Sequence, residues 1–283
     1  MTSIETYRAA LAALPAADWE PYLLAHSNLP GPRGNLELAA AAADLGDEAQ
    51  FRRWAGLSPD LAPENTPACF LAFCGVVGLG AMMAQGAGRG EAFRHELAVA
   101  TDIPSEAGLS VTAGPAGNAS PLPTLRTLAS DPRWRIREAV AMALQRWGDA
   151  DMAGLLAAMT DWAAGNPLEQ RAAAAALCEP RLLRKPQHAA AVLHILDEIT
   201  ASIPQISERK TDAFKTLRQG LGYCWSVAVA ALPETGEPLM EHWLVSPDPD
   251  IRWIMRENLK KNRLVQMDAA WVTQWRALDS APQ

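Results

Sequence analysis

The residues with most chemical potential in this sequence are arginines set at regular intervals and tryptophans placed beside them. Arg137, Arg171 and Arg252 each follow a turn rich in Asp, Asn or Pro and each precede an apolar run. Arg137 and Arg171 stand 34 positions apart, and Arg252 follows after about two more such intervals. A guanidinium offers a planar fork of donors suited to carboxylates, phosphates and clustered carbonyls. Such arginines can tie one helical unit to the next through turn carboxylates such as Asp131 or Asp248, or they can face an anionic partner. Near the C-terminus Arg252, Arg256 and Lys260 recur every fourth residue, with Trp253 at their side. That spacing makes one basic stripe on a helix, the pattern that would hold phosphate or acidic peptide beside an aromatic face. Glu257 lies next to the stripe and can neutralise part of it. Trp134 sits in a turn, ahead of the apolar face of its own segment, and is the tryptophan best placed to serve as a binding platform. The candidate binding set is therefore Trp134, Arg137, Arg171, Arg252, Trp253, Arg256 and Lys260.

Catalytic motifs are scarce. The chain has no Gly-x-x-x-x-Gly-Lys phosphate loop and no Gly-x-Ser-x-Gly nucleophile elbow. His95-Glu96 begins like a zinc-binding HExxH, but Val99 occupies the second ligand position. His188 and His194 are off a single helical face. No metal, cofactor or catalytic residue is assigned on this basis. Most of the ten tryptophans are expected in packing, where an indole supplies far more buried area than the surrounding alanines.

The net charge of −7 is unevenly spread: residues 1–120 hold 6 Lys/Arg against 13 Asp/Glu, whereas the remainder balances at 19 against 19. A nucleic-acid binder is usually basic on at least one face, so duplex DNA ranks behind an acidic protein or peptide as a partner. Cys69, Cys74, Cys178 and Cys224 all fall in apolar stretches without a Cys-x-x-Cys pair. Free, buried thiols in a reducing cytoplasm explain them. The N-terminal residues lack the basic-then-apolar design of a signal peptide. Ala68–Ala84 is apolar but glycine-rich and short of a full span, and is expected as a buried helix rather than a membrane segment.

The elements that must position these residues are helices throughout, for no stretch alternates like a strand. The clearest is 131–148, where Ile136, Ala139, Val140, Ala143, Leu144 and Trp147 form one face after an Asp-Pro start. The spacing predicts helical pairs of 122–129 with 131–148, 151–164 with 167–177, 186–203 with 211–232, and 237–245 with 250–262. A last helix over 269–278 would act as a cap. Upstream, shorter helices are expected over 2–14, 18–26, 36–45 and 47–56. A long apolar helix over 68–85 should end at Gly86-Ala-Gly-Arg-Gly90, ahead of another over 91–100. Pro and Gly crowd 102–123 without periodicity. The chain therefore divides into divergent N-terminal repeats (1–102), a Gly/Pro-rich loop or insertion (103–121), and regular repeats (122–283).

These turn-then-helix segments resemble HEAT repeats, whose second helix typically starts with an Asp/Pro turn, a β-branched residue, an arginine and an alanine-rich run. Ile136-Arg137 and Ile251-Arg252 match, whereas Gln170-Arg171 keeps only the arginine. The resemblance implies an all-α fold, a right-handed α-solenoid of about six to seven helical hairpins. It also implies a non-catalytic scaffold that takes a protein or peptide on its concave surface. The chain is similar in size and helical character to a second group, the AlkD-type DNA glycosylases, which act on alkylated bases. Asp161-Trp162 would then correspond loosely to that group's aspartate and tryptophan, although its paired-tryptophan segment is not recognisable here.

Overall fold

A computed structural model describes residues 2–100 and 119–280 of the chain. Most of the expected 103–121 loop lies outside the described residues. The described residues are all-α, with fifteen α-helices and no strand. The chain divides into two compact units, Met1–Thr127 and Leu128–Gln283.

The first unit contains α1 (Ser3–Ala13), α2 (Trp19–Ala25), α3 (Leu36–Leu45), α4 (Glu48–Ala55) and α5 (Pro67–Ala100), with α6 (Leu122–Leu128) at its end. Capping sets where the helices begin. Thr2 with Glu5 and Asp47 with Gln50 form reciprocal capping boxes, which satisfy donors that the first turn leaves open. Asn35 caps α3 by accepting from the Leu38 amide at 3.1 Å, while its own amide donates to Tyr7 and to the His26 carbonyl. Helices α2, α3 and α4 pack on α5, and α1 packs on α3. The core gathers Leu11, Leu23, Phe51, Trp54 and Phe70.

Helix α5 explains the apolar run. Pro67–Ala87 has a mean hydropathy of 1.9 and is long enough to cross a membrane, yet 72% of its apolar window is buried. The expected break at Gly86–Gly90 does not occur, and the helix continues to Ala100. Glycine weakens a helix by about 1 kcal/mol per residue, but it keeps its N–H, and no proline interrupts the ladder after Pro67.

The second unit contains α7 (Trp134–Ala150), α8 (Met152–Ala163), α9 (Pro167–Leu177), α10 (Pro186–Ser202), α11 (Asp212–Ala231), α12 (Pro233–Leu244), α13 (Pro249–Leu259), α14 (Asn262–Met267) and α15 (Ala269–Ser280). Two series of neighbours run through it. Helix α7 packs on α9, α9 on α11 and α11 on α13, while α8 packs on α10 and α10 on α12. Helix α12 starts four residues before its expected start, because Pro233 takes the first-turn position and Pro238 is carried inside the helix. The single helix expected over 250–262 ends at Leu259, and a short α14 follows.

Tryptophans pack this unit as expected. Trp162 and Trp225 are buried, and Trp225 donates to the Thr200 hydroxyl at 3.1 Å. All four cysteines are buried, and none is in a disulfide. Burial pushes the Cys74 and Cys178 thiols far above their ordinary range, which disfavours the nucleophilic thiolate at both.

Candidate functional site

The site begins at a turn. The buried Asp131 carboxylate accepts from the Arg133 amide at 2.8 Å and from the Arg133 guanidinium at 2.9 and 2.7 Å. This closed loop of bonds ends the turn and starts α7 at Trp134, a residue left 47% exposed. The Arg135 guanidinium lies 4.5 Å from the centre of that ring, a cation–π contact that props the indole in place. One turn further on, Arg137 Nη1 donates back to the carbonyls of Asp131 at 2.6 Å and Pro132 at 3.0 Å.

The second wall comes from α9. Asn166 and Glu169 form a capping box around Pro167, which fixes where α9 starts and so where Arg171 points. Arg171 Nη1 donates to the Arg137 carbonyl at 3.2 Å, and Nη2 bonds the Glu138 carboxylate. The Arg171 side chain is only 14% exposed, against 44% for Glu138. The third wall is α11. Gly220 lets its backbone approach closely, since a Cβ there would stand 3.2 Å from Arg171 Cγ.

Together Trp134, Arg137, Glu138, Arg171, Thr216, Gln219 and Gly220 line a groove of about 350 Å³. That volume lies at the small end for ligand sites. The lining offers an aromatic face, two guanidinium groups, one carboxylate, a hydroxyl and an amide. Such a lining can hydrogen-bond anionic and neutral polar groups. Among the described residues no group of three or more His, Cys, Asp or Glu side chains could hold a metal ion.

Three of the seven residues expected from sequence, Trp134, Arg137 and Arg171, thus meet in one groove. The other four do not line it. Arg252 Nη1 donates to the Ser246 carbonyl at 2.6 Å, repeating the Arg137 contact six residues back. Lys260 pairs with Glu257, and Arg256 is exposed. Trp253 carries the Arg218 guanidinium on its ring at 4.3 Å, so that face is already covered by the protein itself. Of the turn carboxylates, Asp131 bonds the Arg133 guanidinium and Asp248 that of Arg209. Asp161 is exposed while Trp162 is buried, so the two do not form an exposed acid–aromatic pair. His95, Glu96 and Val99 lie outside the residues whose side chains are described.

Arg218 was missed from sequence. It stands in α11 as far before Arg252 as Arg137 stands before Arg171, and Nη1 reaches Asp250 at 2.6 Å. The interval between the first two arginines, applied backwards from Arg252, was the signal that could have found it. Glu138, Thr216 and Gln219 carry no such signal.

Charged groups also meet in the turn before α13. Asp248 is held below the usual carboxylate range: partial burial raises it, but the Arg209 bond and the amides of Asp250 and Ile251 outweigh that. Glu237 moves the other way, raised by burial and by nearby Asp268 and Glu241.

No protein-family model matches the chain, and no curated protein matches it significantly. A crystal structure of an engineered protein from a structural genomics consortium aligns over 94% of this chain and 98% of its own, with 13% identity and a TM-score of 0.33. At that TM-score the likeness bears on neither fold family nor function.

Proposed function

We propose that this chain is a non-catalytic scaffold of HEAT-like type, a right-handed α-solenoid whose inner surface binds an acidic segment of a partner protein. Two features support the architecture. The helix neighbours alternate in two series through the second unit, as stacked hairpins do. Arg137 and Arg252 also repeat one contact to a carbonyl six residues upstream. Four buried cysteines outside any disulfide suit a reducing compartment such as the cytoplasm.

The observation that carries the binding reading is the convergence of Trp134, Arg137 and Arg171 on one groove. An exposed indole beside guanidinium groups is the composition that energetic centres of interfaces favour. Duplex DNA fits less well. The chain has a net charge of −7, and the groove holds a carboxylate of its own.

The test is retention of capped peptide libraries on the immobilised chain, one library with a fixed central glutamate and one with glutamine. The wild-type chain should favour glutamate, and Trp134→Ala should lose retention while unfolding at an unchanged urea midpoint. Equal retention of both libraries, or salt-sensitive retention of duplex DNA in their place, would overturn the reading.

A further inference from the structure

Resting on that reading, we infer that Glu138 is a built-in competitor of the ligand: a partner carboxylate binds by replacing Glu138 on Arg171. The argument starts from the unequal burial of this pair. Arg171 is 14% exposed and bonded to the Arg137 carbonyl, with its stem beside Gly220, where a Cβ would stand 3.2 Å from Cγ. Glu138 is 44% exposed and can rotate into water with its charge solvated.

The cation is therefore fixed and the anion replaceable. A neutral ligand that displaced Glu138 would leave a largely desolvated guanidinium without a counter-charge, which is costly. A ligand carboxylate restores the pair, and its two oxygens match the guanidinium fork. This selects acidic side chains over neutral ones without any further specific contact. Trp134 contributes the part of its indole that Arg135 leaves open, and Thr216 and Gln219 add neutral hydrogen-bonding groups on α11. The ligand class that fits is an acidic side chain within a peptide segment, next to an apolar or aromatic residue.

The exchange has a consequence that simple charge attraction does not share. Removing the tethered anion must strengthen binding, because the ligand then meets Arg171 without a competitor. Glu138→Gln keeps the shape and removes the charge, and Glu138→Asp draws the carboxylate back from Arg171.

The experiment titrates wild-type, Glu138→Gln and Glu138→Asp full-length chains with the capped glutamate library, with the glutamine library as reference. Circular dichroism and urea midpoints report whether each variant is folded. We expect glutamate peptides to bind about fivefold tighter to Glu138→Gln, with a smaller gain for Glu138→Asp and no gain for glutamine peptides. If wild-type binds glutamate peptides but folded Glu138→Gln binds them equally or less tightly, displacement is wrong while the binding reading stands. If neither wild-type nor Glu138→Gln prefers glutamate, both fall together.

Discussion

Arg171 crosses from one helix to the preceding member of its series, donating to the backbone carbonyl of Arg137 at 3.2 Å. The same guanidinium holds the Glu138 carboxylate, so one side chain both joins α9 to α7 and builds the groove wall. Arg171→Ala should lower unfolding stability by about 1–2 kcal/mol, the loss of a charge-assisted bond and of stem packing on α11. Arg171→Lys should recover less than half of that, because a single ammonium cannot reproduce the fork. Urea unfolding of the three chains measures both values, and a lysine variant as stable as wild type would contradict the geometry.

What the sequence made legible was the helical period and many of the places where helices begin, though α12 starts four residues early and no new helix begins at 91. Asn166, Asp248 and Thr2 act as caps, and proline and small polar residues announce such positions locally. Contacts between distant positions were harder to see. Nothing near Glu138 announces that Arg171 will reach it, and nothing near Trp253 announces that Arg218 will cover its ring. The spacing of Arg252, Arg256 and Lys260 was legible as a stripe, although Lys260 falls just past the end of α13, and spacing does not say which neighbouring acid will neutralise each charge. The glycine run after Gln85 misled for a related reason. Its local preference is weak, about 1 kcal/mol per residue, and a long helix continues through it.

Close packing in the first unit makes a sharp prediction at Gly75. A Cβ there would stand 2.4 Å from the Ala55 amide nitrogen and 2.8 Å from the Phe51 carbonyl oxygen. Both neighbours are backbone, so no side chain can rotate out of the way. Gly75→Ala gains helix propensity yet should still destabilise by about 1–3 kcal/mol. Gly86→Ala is the control, since a Cβ there meets nothing within 4 Å, and it should be neutral or slightly stabilising. Thermal unfolding followed by circular dichroism separates the two, and equal midpoints would mean that α4 and α5 are not in such close contact.

Asp248 should shape the acid limb of stability. Its carboxyl is held below its ordinary pKa in the folded chain, so the native form binds its proton less readily than the unfolded form does. The stabilisation is fully present above the unfolded value of about 4 and is lost as pH falls through the lower native value. Asp248→Asn preserves a capping oxygen for α13 but loses the charge that pairs with Arg209. The gap between wild type and Asp248→Asn should be widest near neutral pH and should close as the acid midpoint is approached. Urea titrations across a pH series would show this, and a gap independent of pH would rule out the Arg209 pairing as its source.

Asn258 gives the most demanding test of how α13 is fixed to α11. It is fully buried, accepts from the Ser226 amide at 2.7 Å, and donates to the carbonyls of Leu221 and Ile254 at 2.8 Å each. Two of these bonds reach into the middle of α11, beside Gly222, where a Cβ would stand 3.2 Å from Glu257 Cβ. Leucine has nearly the same volume but no polar atoms, so Asn258→Leu leaves those α11 groups without this partner. A cost of about 2–4 kcal/mol is expected, from the bonds lost and the buried groups deprived of one. Asn258→Ala should cost a similar amount by a different balance: the cavity loses packing, while a water held in it restores part of the bonding. The discriminating measurement is amide hydrogen exchange at Ser226. Protection there should fall in Asn258→Leu by more than the global loss of stability accounts for, and a fall equal to the global loss would show that α11 needs no help from Asn258 at that position.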